Sequence, residues 1–117
     1  MQDSYGVEIT YPSPFRTVDD VIVANKRAGQ HFFDSATMRF FRSRVGGALY
    51  AGRFFITSER NDMGDYPRLY TVRVAHDDGT IGEMGEFQQY ASWSGATKAC
   101  ERYARQLVGH VTVSFVD

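Results

Sequence analysis

The chain has 117 residues, of which 43% are hydrophobic and 23% are charged, and its formal net charge is −1. This length predicts one domain, and the composition excludes the low-hydrophobicity pattern of a disordered chain. The near-neutral charge argues against a protein whose affinity for nucleic acid or anionic membrane comes from overall basicity.

The apolar segments are too short to span a bilayer, and the polar start of the chain lacks the features of a signal peptide. The sequence contains a single cysteine, which excludes an internal disulfide. It also lacks the signatures of phosphate-binding loops, zinc proteases, serine hydrolases and paired-cysteine metal sites. We therefore expect a cytoplasmic protein with no membrane association, no metal and no cofactor, and with a function other than catalysis.

Residues 1–16 are predicted to form an N-terminal arm or an edge strand, because a short alternating stretch at 7–11 is flanked by glycine and proline. A single α+β domain is predicted to follow over residues 17–117. Its first helix is expected over residues 18–28, where Thr17 has the spacing of an N-cap.

A second helix is expected over residues 35–43, with Asp34 as its cap. Strands are predicted where β-branched and aromatic residues concentrate between turn signals, namely at residues 53–58, 69–74, 80–82, 86–90 and 110–116. The short turns between successive strands predict an antiparallel meander.

The last helix is expected over residues 95–108, because Ser94 can cap it and apolar residues recur at helical spacing. The side chains expected to pack on the sheet are Ala99, Cys100, Tyr103 and Leu107. The predicted fold class is therefore α+β, with an antiparallel meander sheet of about four to five strands packed with two to three helices.

Positive charge concentrates in one part of the chain. Residues 26–60 contain seven basic and two acidic residues, a net charge of +5, so the remainder carries −6. Inside this part, residues 30–45 combine four phenylalanines with three arginines. One reading packs Phe41 on the sheet and Phe40 on the first helix, with the arginines bracing the acidic half of the chain. The other reading is a partner-binding surface formed by Arg39, Phe40, Arg42, Arg44 and Arg53.

Three further groups of residues could carry chemistry. His31 and Asp34 have the spacing of a base and the carboxylate that orients it, although Asp34 can also serve as a helix cap. His76 is followed by two aspartates, a weak metal-binding pattern that is also ordinary hairpin-turn chemistry. Cys100 lies on an apolar helix face, which predicts a buried packing residue.

The phenylalanine and arginine stretch belongs to a longer pattern. Residues 33–44 read FDSATMRFFRSR, residues 53–59 read RFFITSE, and residues 85–92 read GEFQQYAS. Over residues 19–107 the chain resembles a group of small uncharacterised proteins of bacteriophages and mobile elements that share the pattern FDxxTMRFFxSR. No catalytic residues are carried over from that group.

The resemblance implies a small phage protein that binds and blocks a host protein or protein complex, such as a host defence or regulatory complex, in the host cell cytoplasm. Acidic residues could then imitate phosphate spacing in a cationic channel of the host protein. The residues considered for this alternative surface are Asp62, Asp65, Asp77, Asp78, Glu83 and Glu86.

Two other functions stay open from the sequence. One is a nucleic-acid-binding domain that uses Arg39, Arg42, Arg44 and Arg53 together with exposed aromatic side chains. The other is a small enzyme centred on His31 and Asp34. The net charge of −1 argues against the first, and the missing catalytic signatures argue against the second.

Overall fold

The computed structural model describes residues 1–40, 42–60 and 67–116, and it describes side chains as far as Gly109. Within these residues the elements are α1 (Val18–Arg27), α2 (Ser35–Phe40), β1 (Arg44–Val45), β2 (Phe54–Glu59), β3 (Leu69–Ala75), β4 (Ile81–Met84) and α3 (Trp93–Val116). The predicted α+β class is confirmed.

The four strands form one antiparallel meander in the order β1, β2, β3, β4. β2 pairs with β3 along its whole length, so the strands predicted at residues 53–58 and 69–74 are confirmed to within one residue. β1 is a two-residue strand at one edge of the sheet, in a segment for which no strand was predicted.

The two faces of the sheet are covered by different elements. α3 covers one face, and the buried residues between them include Phe54, Ile56, Val72, Val74, Ala96, Ala99, Cys100 and Leu107. On the other face, Phe55 and Ala75 pack against Phe15 and against Val18 and Val21 of α1. The rest of this second face is polar, because alternate side chains of β2 and β3 become threonine, glutamate and arginine towards the other end of the strands.

α1 begins after the N-cap Thr17 that the sequence predicted, and Asp20 completes a capping box. The N–H of Asp20 donates to the Thr17 hydroxyl at 3.2 Å, and the Asp20 carboxylate accepts the N–H of Thr17 at 3.1 Å. The N–H of Arg16 also donates to the Asp20 carboxylate, and this hydrogen bond lowers the pKa of Asp20 most. The hydrogen bonds with Thr17 lower it further. The reciprocal pair satisfies backbone groups that a helix start otherwise leaves unpaired.

The core residues predicted for the last helix are confirmed. Ala99, Cys100 and Leu107 are buried, and the ring of Tyr103 lies 5.7 Å from that of Phe54 between ring centres. These contacts attach α3 to β2 and β3. Within the described part of the chain, neither this helix nor any other is long and apolar enough to cross a membrane.

Both ends of α3 differ from the prediction. The Ser92 hydroxyl, and not that of Ser94, accepts the N–H of Gly95 at 3.1 Å, so the helix begins earlier. The strand predicted over residues 110–116 is wrong, because α3 continues to Val116. Alternation of β-branched residues does not decide the structure here, since a helix that already exists gains a hydrogen bond with each added residue without a new nucleus.

β4 extends beyond the strand predicted at residues 80–82, and the strand predicted at 86–90 is wrong. Gly85 has a φ of 73°, a left-handed conformation that ends β4. The chain then forms a turn in which Gln88 also has a positive φ, of 58°. Tyr90 returns to the sheet through a bridge with β3.

Residues 1–16 fold back along the outer edge of β4. The N–H of Ser4 donates to the carbonyl oxygen of Glu83 at 2.8 Å, and Ile9 joins the core with 2% exposure. The arm therefore shields the β4 edge of the sheet, and β1 forms the opposite edge.

Candidate interaction surface

α2 is a short helix that buries none of its side chains. Arg39 is exposed, and Phe40 is 70% exposed. This exposure does not fit the reading in which Phe40 packs on α1. Phe41, which the same reading packs on the sheet, lies outside the described residues.

α2 ends in the hydrogen-bond pattern of a Schellman motif. The N–H of Arg42 donates to the carbonyl oxygen of Arg39 at 3.1 Å, and the N–H of Ser43 donates to that of Met38 at 2.7 Å. Arg42 takes the left-handed conformation at which glycine is usual, with a φ of 48°. The helix predicted to residue 43 therefore ends at Phe40.

The chain passes from this turn directly into β1, where Arg44 is exposed and pairs with Ser58 of β2. We define the basic surface as the exposed side chains of Arg39, Phe40, Arg42 and Arg44. It therefore comprises four of the five residues that the sequence assigned to partner binding. Because these residues follow one another through a helix, a turn and a strand, their side chains project from one continuous segment.

Arg68, which the sequence did not indicate, fixes this segment to the sheet. Its Nη1 donates to the carbonyl oxygen of Arg42 at 2.8 Å and to the Ser58 carbonyl and hydroxyl oxygens at 3.1 and 3.0 Å. Burial lowers the pKa of the Arg68 guanidinium, and the positive charges of Arg44 and Arg60 lower it further. Positive charge is thus concentrated where β1, β2 and β3 meet.

Arg53 is not part of an exposed surface. It is 1% exposed, and its guanidinium donates to the carbonyl oxygens of Thr10 at 3.0 Å and Ala75 at 2.9 Å. It also forms an ion pair with Asp77. Arg53 therefore joins the N-terminal arm to the end of β3, and it is a structural residue and not a contact for a partner. The residues that Arg53 contacts are distant from it in sequence, so the local sequence pattern did not predict this structural role.

The alternative acidic surface is divided among different environments. Two of its residues lie outside the described residues, namely Asp62 and Asp65. Asp77 is exposed and paired with the buried arginine, and Asp78 accepts the hydroxyl and N–H of Thr80, which lowers the pKa of Asp78. Glu86 is exposed, whereas Glu83 is buried.

Glu83 belongs to a buried charged cluster on the second face of the sheet. Arg73 donates to the carboxylates of Glu83 and Glu59, each at 3.2 Å, and its guanidinium carbon lies 5.3 Å from the ring centre of Phe32 and 5.5 Å from that of Phe87. Burial raises the pKa of Glu83, although the charge of Arg73 opposes this shift. Because the three charged groups are bound to one another, we assign the cluster a structural role and not a partner-binding role.

The pair on which the enzyme alternative depended does form. His31 Nδ1 lies 2.8 Å from the Asp34 carboxylate, with 76% and 53% of the two side chains exposed. A pair that is so open to solvent lacks the buried, water-excluding surroundings in which catalytic acids and bases are activated.

His76 joins the N-terminal arm to the turn between β3 and β4. Its Nε2 lies 2.7 Å from the Asp3 carboxylate and its Nδ1 lies 2.8 Å from the Thr80 hydroxyl. The Asp3 side chain is fully buried and also accepts the N–H groups of Tyr5 and Val7. Among the described residues, no group of three or more histidine, cysteine or acidic side chains is placed to hold a metal ion.

The fold and this surface define a small α+β domain that displays arginine and phenylalanine side chains at one edge of its sheet. Residues 17–101 match a family described as a family of unknown function, DUF7447. The match covers more than half of the chain, so the protein belongs to this family. It includes the basic surface and the four strands of the described sheet. No curated protein and no solved structure matches the chain.

Proposed function

We propose that the protein is a non-enzymatic protein-binding module that holds an acidic surface of its partner with the basic surface. The observation that carries this proposal is the 70% exposure of Phe40 between exposed arginines. An exposed phenylalanine forgoes the roughly 1.5–3 kcal/mol that its burial would contribute. Aromatic and arginine side chains are also the residues that dominate interface energies.

The segment that presents these side chains is held in place by its backbone. Two hydrogen bonds close the end of α2, and Arg68 binds the carbonyl oxygen of Arg42. A surface that is ordered before binding loses less conformational entropy when the complex forms. This supports a preformed docking surface in preference to a segment that folds on contact.

The chemistry of the basic surface favours carboxylates as partner groups. Arg39, Arg42 and Arg44 carry three positive charges within six residues, and guanidinium groups bind carboxylates through paired hydrogen bonds. Among the described acidic residues, Asp77 binds Arg53 and Glu83 binds Arg73.

The proposed biological role is inhibition of a host defence or regulatory complex by a phage-encoded protein that acts in the host cytoplasm. This part of the proposal is supported by the sequence resemblance to small phage proteins. The proposed role therefore requires that the partner is a bacterial protein.

The experiment is affinity capture from a bacterial lysate with three immobilised forms of the full chain. The first is the native protein, and the second carries Arg39→Gln, Arg42→Gln and Arg44→Gln. The third is a matched control with Arg16→Gln, Arg27→Gln and Arg105→Gln, which removes three charges from exposed positions outside the basic surface. Quantitative mass spectrometry then compares the retained proteins.

We expect the native protein and the control to retain the same acidic protein and the basic-surface variant to lose it, while all three forms stay folded. Retention by all three forms, or by none, would contradict the proposal. Retained nucleic acid, with an affinity that falls steeply with salt at about −0.9 per phosphate neutralised, would establish the nucleic-acid alternative instead.

A further inference from the structure

β1 has backbone groups that point away from the sheet. The N–H of Gly46 donates to the carbonyl oxygen of Ile56 at 2.7 Å, and Val45 is the next residue along, opposite Thr57. Hydrogen-bonded and non-hydrogen-bonded pairs alternate in an antiparallel ladder, so the N–H and C=O of Val45 face outward. Among the described residues, neither group has a hydrogen-bond partner.

A groove lies beside this edge. It has a volume of about 420 Å³, and it is bordered by Val45 and Gly47 on one side and by Val18 and Ile22 of α1 on the other. Val18 is buried, whereas Ile22 and Val45 are partly buried, and these three side chains form the apolar part of a wall that also includes Thr17 and Asp19. A strand added to a sheet lies about 4.8 Å from its neighbour in the plane of the sheet, so alternate side chains of a strand added beside β1 would point towards the α1 side.

The two faces of an added strand would meet different chemistry. Val45 faces the side of α1, and Arg44, as its neighbour in a strand, faces the opposite side. On that opposite side Trp93 is 45% exposed and packs closely over Gly46. Arg44 also lies near Arg68, whose pKa is lowered partly by the Arg44 charge.

We propose that β1 binds an extended segment of the partner as an additional strand, with apolar side chains facing Val18 and Ile22 and carboxylates facing Arg44. This inference names the binding mode of the proposed function and rests on it. Main-chain hydrogen bonds to an exposed edge supply affinity in such complexes, and alternate side chains supply specificity. The alternation of apolar and acidic residues follows from the apolar side chains on one side and Arg44, near Arg68, on the other.

The test uses the full chain labelled with ¹⁵N and a short synthetic peptide in which valine alternates with glutamate. The control peptide alternates valine with lysine. We expect the glutamate peptide to shift the amide resonances of Val45 and Ile22 and to slow hydrogen exchange of the Val45 amide at least ~10-fold, as a new hydrogen bond requires. We expect no such change with the lysine peptide.

Two substitutions at one position separate backbone recognition from side-chain recognition. Val45→Pro removes the outward N–H and is compatible with an edge strand whose N–H points to solvent. Val45→Thr keeps the N–H and a similar shape. We expect the first to weaken binding of the glutamate peptide at least ~10-fold and the second to change it by less than about threefold.

An unchanged Val45 amide at millimolar glutamate peptide would overturn strand addition, whether or not other resonances shift. If Val45→Pro fails to fold, the exchange measurement on the native protein decides. Loss of capture by the Arg39, Arg42 and Arg44 variant with no response at Val45 would leave the proposed function standing without this binding mode. If the Val45 amide responds to the glutamate peptide but the Arg39, Arg42 and Arg44 variant captures the partner as well as the native protein does, the basic surface is not the partner site.

Discussion

The Arg68 guanidinium donates a hydrogen bond to the carbonyl oxygen of Arg42 at 2.8 Å, which joins the start of β3 to the turn between α2 and β1. Arg42 is also the residue in that turn with a left-handed backbone. The orientation of the basic surface therefore depends on one strained residue and on the side chain of Arg68, which directly precedes β3.

Arg42→Gly should have a free energy of unfolding up to about 1 kcal/mol higher than Arg42→Ala, since both substitutions remove the side chain. A non-glycine residue in the left-handed conformation costs roughly 1–2 kcal/mol, and the greater freedom of glycine in the unfolded chain offsets part of the gain. Urea unfolding followed by circular dichroism measures the change.

The matched control is Arg39→Gly, which lies inside α2 and should cost about 1 kcal/mol relative to Arg39→Ala. Opposite signs for the two substitutions are expected. Equal destabilisation by both would mean that Arg42 does not have the left-handed conformation in solution.

The Glu83 carboxyl should make stability fall as pH rises. Its pKa is raised by burial, so the folded state holds this proton more tightly than the unfolded state. The loss of folding stability begins near the ordinary glutamate pKa of about 4.3 and is complete at pH values above the raised pKa of Glu83 in the folded state. Stability relative to Glu83→Gln should therefore decrease as the pH rises from about 4 through the raised pKa of the folded state. A difference that is constant, or that grows with pH, would be inconsistent with a raised pKa.

Cys100 should be unreactive in the native protein. It has no exposure, and burial, with a smaller effect of the Glu101 charge, raises the pKa of its thiol to about 12. Because the thiolate is the reactive form, alkylation at neutral pH should be at least ~100-fold slower than in urea-unfolded protein. Comparable rates in the two states would show that this part of α3 is not packed on the sheet in solution.

Leu107→Ala should lower the free energy of unfolding by about 2–5 kcal/mol, because Leu107 is 3% exposed in the core beneath α3. Gln106→Ala, its exposed neighbour on the same helix, should change the free energy by less than about 0.5 kcal/mol. Thermal denaturation of both variants provides the comparison. Similar melting temperatures for the two would refute the assignment of Leu107 to the core.

The parts of the fold that were predicted from sequence depend on local signals. The N-cap Thr17 and the helical spacing of Ala99, Cys100 and Leu107 are such signals, and both were confirmed. The strand predicted at residues 110–116 was wrong because its alternation competed with continuation of a helix, which local pattern does not resolve.

The candidate interaction surface could be predicted from the sequence only in part, for a related reason. Arg39, Phe40, Arg42 and Arg44 are neighbours in sequence, so their concentration was visible, and their exposure follows from a short helix that buries nothing. The role of Arg53 and that of Arg68 depend on partners brought close by strand pairing. Sequence composition alone could not separate an arginine that is buried from one that supports the surface.

The most direct measurement is the dissociation constant of the captured partner for Phe40→Ala compared with Tyr5→Ala. Both positions carry exposed aromatic side chains, at 70% and 68%, but Tyr5 lies in the arm at the β4 edge, away from the basic surface. We predict that Phe40→Ala weakens binding at least ~10-fold, about 1.4 kcal/mol, while the variant stays folded, and that Tyr5→Ala leaves the affinity unchanged. Equal affinities of Phe40→Ala and the native protein would contradict the basic surface as the partner site.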